Sequence, residues 1–138
     1  MAAEVEITVA SHPRWLSLIR RVVTEYAEQK GLDAQSAREV VLAVDEASSN
    51  VIKHTYQGEC KQRLTVSALY SEDAIEVEIH DNGEPFNPMS QPLPPPDELR
   101  AGGRGMFLMQ TVMDEIEYER RDGKNCMRMR KRIKAHAK

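Results

Sequence analysis

At 138 residues with a formal net charge of −3, the chain is a common domain size, able to bury a core, and its acidic balance gives no prior for nucleic acid or anionic membrane. Its two cysteines, Cys60 and Cys126, are too few for a disulfide framework and fit a reducing compartment. No apolar run approaches the roughly 20 residues of a membrane span, and residues 1–6 lack the basic start and apolar centre of a signal peptide, so a soluble cytoplasmic domain is expected, spanning 1–138 as one unit.

Residues 4–9 alternate polar and apolar side chains, the pattern of a half-buried strand. Ser11-His12-Pro13 then offers an N-cap and an early proline to a helix over 14–30. There Trp15, Leu18, Ile19, Val22, Val23 and Tyr26 recur at helical spacing, and Gly31 can end it. Trp15 is expected in the core. Asp33 is the expected N-cap of a second helix that stops before Gly58. In this helix Val40, Val44, Ala47 and Val51 share an apolar face, and Glu46, Asn50 and His54 form a polar stripe beside it. Polar and ionisable groups bordering a buried face are costly unless partnered, so the stripe marks a site at the edge of the core. His54 reads as a capping residue near the helix C-terminus before it reads as a catalytic acid.

Strands over 61–70 and 74–80 flank the polar turn Ser71-Glu72-Asp73, and Asp81-Asn82-Gly83 stops the hairpin. Regular structure is expected to fail over 84–104. Pro85, Pro88, Pro92, Pro94, Pro95 and Pro96 remove backbone donors, and Gly102, Gly103 and Gly105 relax the chain. A loop of this length inside a small domain is more often a functional lid than a passive connection. A short helix over 106–113 places Met106, Met109 and Met113 in the core. A second hairpin, 115–121 with 126–133, turns about Asp122-Gly123-Lys124-Asn125. Arg128, Arg130 and Arg132 alternate with apolar residues in its last strand, as on a solvated basic face. His12, Cys60 and Cys126 show no metal-ligand spacing, and no zinc site is expected.

Three stretches carry chemistry in combination. Glycines before a helix, as in Gly102-Gly103-Arg104-Gly105, let backbone N–H groups and the helix dipole meet a phosphate. Asn50 offers a carbonyl oxygen suited to Mg²⁺, and Glu46, one turn earlier, can take a proton from a hydroxyl. Asp81 is acceptor-only when ionised, so it can read an exocyclic amine such as that of adenine. Together they describe a nucleotide site with a base beside it.

Glu46-Ala47-Ser48-Ser49-Asn50-Val51-Ile52-Lys53-His54 resembles the N-box of the GHKL (Bergerat-fold) ATPase superfamily. Asp81-Asn82-Gly83-Glu84-Pro85-Phe86 resembles its first glycine box, and 103–109 its second. The length, the N-terminal strand and helix, and 108–115 narrow the resemblance to anti-sigma factor serine kinases (RsbW-type). The resemblance implies a two-layer α/β (α+β) sandwich of the Bergerat type: a mixed, largely antiparallel sheet covered on one face by helices, with an ATP lid at about 82–105. It implies ATP and Mg²⁺ as cofactors, with Glu46 as general base and Asn50 as magnesium ligand. Asp81 and Gly83 would lie at the adenine, and Gly103, Arg104, Gly105 and Met106 at the phosphates; Arg100 is a further candidate for phosphate or partner.

The implied function is phosphorylation of a serine on a small anti-sigma antagonist, with sequestration of a sigma factor or equivalent partner, by a homodimer that binds neither nucleic acid nor membrane. Relatives often carry a threonine after the last turn. Here 123–127 has none, and Asn125 or Cys126 takes the place. A nucleotide-regulated binding switch with little kinase activity therefore stands as the alternative, and the catalytic half of a histidine kinase as a more remote one.

Overall fold

The computed structural model describes residues 2–87 and 104–133, with backbone alone at 104–106. Strand β1 (Val5–Ala10) leads through a 3₁₀ turn (Pro13–Trp15) into helix α1 (Leu16–Gln29). Helix α2 (Ala34–Asn50) continues as a π turn (Val51–Thr55), then come β2 (Arg63–Ser71), β3 (Ala74–Asp81), α3 (Arg104–Val112), β4 (Glu115–Arg121) and β5 (Lys124–Arg132). The five strands form one sheet in the order β1-β2-β3-β5-β4. Each of its four pairings is antiparallel, so among the described residues the sheet is not the mixed one expected.

Local chemistry sets the boundaries. The Asp33 side chain accepts a hydrogen bond from Ser36 N at 2.6 Å, so α2 starts where the sequence places its cap. At the end of α1, Gly31 has φ +83° and Leu32 N donates to Ala27 O at 3.1 Å. This six-to-one closure needs a left-handed residue, for which glycine has no steric cost. Both hairpins turn through two residues of positive φ, Glu72 and Asp73 (53° and 58°) and Asp122 and Gly123 (54° and 75°), which match the right-handed twist of the strands they join.

The core lies between helices and sheet. Ile19, Val23 and Ala27 of α1 and Val40, Ala43, Val44 and Ala47 of α2 bury against Leu64, Val66, Ile75, Val77, Ile79, Met127 and Met129, with Met109 of α3 fully enclosed. Trp15 is not in the core: it lies in the 3₁₀ turn ahead of α1 and is 39% exposed, as Leu18 is at 37%. The helical spacing includes Trp15 only if α1 starts a turn earlier than it does.

Strand pleating decides what reaches the site. Successive side chains of β3 alternate faces, so Ile75, Val77 and Ile79 on the helix side are followed there by Asp81. Asp81 is thereby buried (6% exposed). In the paired strand the same face carries Met129, Met127 and then Asn125, directly opposite Asp81. The other face is a charge ladder. Arg128 pairs with Glu78 (2.9 Å) and Glu117 (3.3 Å), Arg130 with Glu72 (3.7 Å) and Glu76 (3.9 Å), and Arg132 with Glu115 (3.4 Å). The expected basic face is neutralised by carboxylates from β3, β4 and the β2–β3 turn. Among the described residues no helix is long and apolar enough to cross a membrane.

Candidate functional site

The end of α2 and the ends of β3 and β5 enclose a small cavity walled by Asn50, Thr55, Asp81, Phe86, Tyr118 and Asn125. Asn50 closes the regular helix. Beyond it the backbone widens into the π turn, where Tyr56 N donates to Val51 O at 2.9 Å. Single π turns interrupt the regular ladder and often sit at functional sites. This one shifts His54 off the position that an unbroken helix would give it below Asn50. The His54 ring instead stacks on Phe86, centroids 5.4 Å apart and planes at 17°.

Asp81 is held by a dense polar group. Its Oδ1 accepts from Asn125 Nδ2 at 2.8 Å and from Gly83 N at 2.9 Å. Asn125 Nδ2 also donates to Glu84 O at 3.0 Å, and Asn125 Oδ1 accepts from Tyr118 Oη and, at 2.9 Å, from Arg120 Nη1. Arg120 reaches on to Gly83 O at 2.8 Å. Burial pushes the Asp81 carboxyl above the usual aspartate range, while the bonds from Asn125 and Gly83 and the charges of Arg120 and His80 pull it partly back. A buried carboxylate with one oxygen tied and Oδ2 without a described partner can accept a hydrogen bond from an amine entering the cavity.

Of the two residues expected at this edge, Asn125 lines the pocket opposite Asp81. The β3–β5 register sends Cys126 to the opposite face, beside His80.

Gly83 is required by contact. A Cβ there would overlap Thr55 Cγ2 and lie 3.1 Å from Tyr56 Cε1. Tyr56 cannot yield, because its hydroxyl donates to Arg63 O and accepts from Asn82 N at 2.9 Å. Gly83→Ala is expected to cost about 1–3 kcal/mol through overpacking, read as a lower midpoint in chemical denaturation.

Glu46 lies one helical turn before Asn50, half-buried and outside the cavity lining. Burial, followed by the neighbouring Asp45 charge, raises its carboxyl above the usual glutamate range, against a smaller pull from Lys53. A carboxylate with a raised pKa is a stronger proton acceptor. The structure thus brings Asn50 and Asp81 to one pocket, with Gly83 bonded to Asp81 beside it and Glu46 one helical turn from Asn50. Of the phosphate-side residues, Gly103 and Arg100 lie outside the described residues. Arg104, Gly105 and Met106 form the first turn of α3, with backbone only. The sequence reading singled out neither Tyr118 nor Arg120; only strand register brings them to Asn125.

Residues 9–131 match the model of the histidine kinase-like ATPase domain. The chain belongs to that family. Curated members similar to it are the serine-protein kinase RsbW of Listeria monocytogenes, 31% identical over 125 residues (85% of this chain, 80% of the relative), and that of Bacillus subtilis, 28% identical over 127 residues (86% and 79%). In three dimensions the chain resembles the RsbU and RsbW domains of a Mycobacterium tuberculosis protein, with TM-score 0.69 and 16% identity, covering 94% of this chain and 32% of that one. It also resembles the SiaB-SiaC complex of Pseudomonas aeruginosa, with TM-score 0.63 and 14% identity, covering 94% and 89%. The resemblance read from the sequence, to RsbW-type serine kinases with a Bergerat-type fold, is borne out by family and by fold.

Proposed function

We propose that the chain is an ATP-dependent protein kinase that phosphorylates a serine of a small anti-sigma antagonist and, in the alternative complex, holds a sigma factor or an equivalent protein. The reading places it in the cytoplasm as a homodimer, as the family resemblance implies. The name serine-protein kinase carried by relatives about 30% identical over most of the chain supports the activity. The observation that carries it here is the shared pocket, lined by Asn50 from α2 and Asp81 from β3, with Gly83 packed too closely behind Asp81 and Thr55 to admit a side chain.

In this reading Asp81 Oδ2 accepts the adenine amine, and Gly83 allows the base to approach the backbone. The donor set fits Mg²⁺, since one carboxamide oxygen from Asn50 is enough when phosphates and waters complete the octahedron. The ion, when bound, would neutralise charge on the transferring group. Glu46 takes the proton of the attacking serine hydroxyl, and the first turn of α3, with Gly103, Arg104, Gly105 and Met106, meets the phosphates. Phosphoryl transfer needs mainly positioning and charge stabilisation, so a site this sparse in reactive groups suffices.

Asn125 favours a second reading. Its amide, not a threonine hydroxyl, holds Asp81 Oδ1 at 2.8 Å, a departure from the pattern the resemblance implies, and the second reading is a switch that binds nucleotide and partner with little or no transfer. Incubation with γ-labelled ATP and proteins captured on the chain, followed by phosphosite mapping, separates the cases. The kinase yields acid-stable phosphoserine. Nucleotide-dependent capture with no transferred label overturns kinase in favour of switch, and an acid-labile product overturns it in favour of a histidine kinase.

A further inference from the structure

The strands that carry Asp81 and Asn125 toward the helices turn their intervening residues to the open face of the sheet. Glu78 and His80 stand there two positions apart on β3, and Cys126 of β5 is paired directly with His80. One ligand atom from each lies within 4.8 Å of the others. His80 Nε2 is 2.9 Å from Glu78 Oε1, and Cys126 Sγ is 3.9 Å from His80 Nε2. We propose that Glu78, His80 and Cys126 form a binding site for a divalent transition-metal ion of the zinc class, on the face of the sheet opposite the nucleotide pocket.

The donor types favour such an ion: thiolate and imidazole select zinc and its neighbours over magnesium or calcium. Distances agree as well. Ordinary zinc bond lengths in a tetrahedron put the imidazole nitrogen about 3.4 Å from a ligating carboxylate oxygen and about 3.6 Å from a ligating sulfur. The present separations thus need Glu78 and His80 to part by about 0.5 Å and Cys126 to close on His80 by about 0.3 Å, while Cys126 Sγ, now within 4.8 Å of the Glu78 oxygen, settles at about 3.6 Å from it. All three side chains are half-exposed, so small rotations achieve this without moving the strands. Arg128 Nε holds the other oxygen of Glu78 at 2.9 Å, fixing the carboxylate with Oε1 toward His80. Three protein ligands leave the fourth position open to water or to a donor from a partner.

Without the ion the Cys126 thiol is held protonated. Burial, then the nearby Glu78 carboxylate, pushes it up to about 11, and Glu119 and Glu76 add to this against Arg128. Binding forms a metal–sulfur bond as the S–H bond gives up its proton to solvent, with no change of oxidation state. The carboxylates that oppose a bare thiolate attract the cation. Sequence spacing could not show the site, because Cys126 and His80 are 46 positions apart and meet only through strand register.

Cobalt titration of the full chain, kept reduced with a non-thiol reductant, tests the proposal. A thiolate-to-cobalt absorption band saturating at one ion per chain is expected, bleached by zinc, with one thiol proton released per zinc bound. Cys126→Ser and His80→Ala should abolish the band, and Glu78→Gln should weaken binding at least tenfold. Cys60→Ser, at an exposed cysteine outside the cluster, should leave it intact. Circular dichroism checks that the variants, all at exposed or half-exposed positions, remain folded. No band in the wild type, a band that survives Cys126→Ser, or zinc binding of equal strength in folded His80→Ala overturns the site. None of these readouts requires kinase activity.

Discussion

Glu46→Gln is expected to keep the fold and the nucleotide affinity while losing phosphoryl transfer by about 10²–10⁴-fold, the usual contribution of a general base. The substitution is isosteric and removes only the proton-accepting charge. Affinity should hold because Glu46 does not line the cavity of Asn50 and Asp81. The pH dependence supplies an independent sign. Burial and the Asp45 charge raise the Glu46 carboxyl, so wild-type transfer should fall as pH is lowered through a midpoint above the ordinary glutamate range, and the residual rate of Glu46→Gln should lack that limb. Transfer at full rate by the variant, with a competent partner and magnesium present, would remove Glu46 from the mechanism.

Asp81→Asn should separate stability from binding in opposite directions. An amide there offers a donor where the adenine amine also donates, and loss of a charged hydrogen bond is worth about 1.5–3 kcal/mol. Calorimetry with ADP is therefore expected to show Kd weaker by roughly one to two orders of magnitude. The fold responds differently. Because burial raises the Asp81 carboxyl in the native state, its contribution to stability is complete below the ordinary aspartate pKa and is lost as pH rises through the folded value. At neutral pH the ionised carboxylate is thus a cost that the amide avoids, and the Asn Oδ1 can still accept from Asn125 and Gly83. The variant should melt at or above the wild-type temperature near neutrality, with the difference closing in acid. A variant that melts well below the wild type at neutral pH while binding ADP normally would contradict both halves of the account.

What the sequence conveyed and what it withheld follow from how far each signal reaches. Period-two and period-3.6 patterns are local, and they located every described strand and helix to within a few residues. The Asp33 cap and the Asp122-Gly123 turn are local too, and the structure uses both. Asp81 was legible as a strand end, but its burial depends on continuing the Ile75, Val77, Ile79 face. The choice between Asn125 and Cys126 could not be made from sequence, since one step of register exchanges their faces. For the same reason the Arg128, Arg130 and Arg132 face looked basic when read alone, although its carboxylate partners lie on other strands. The π turn after Asn50 has no compositional signal, and Trp15 misled because an aromatic side chain at helical spacing fits a core and a preceding turn alike.

The stack of Phe86 on His54 makes filling the pocket a sequential process. With that ring in place the cavity amounts to about 20 Å³, room for about one water molecule and far less than a purine. A base that enters past Phe86 requires this ring to leave His54, and its apparent affinity then carries the free energy of that opening. Whatever holds Phe86 open, whether a substitution or a docked protein, would tighten nucleotide binding without touching the nucleotide.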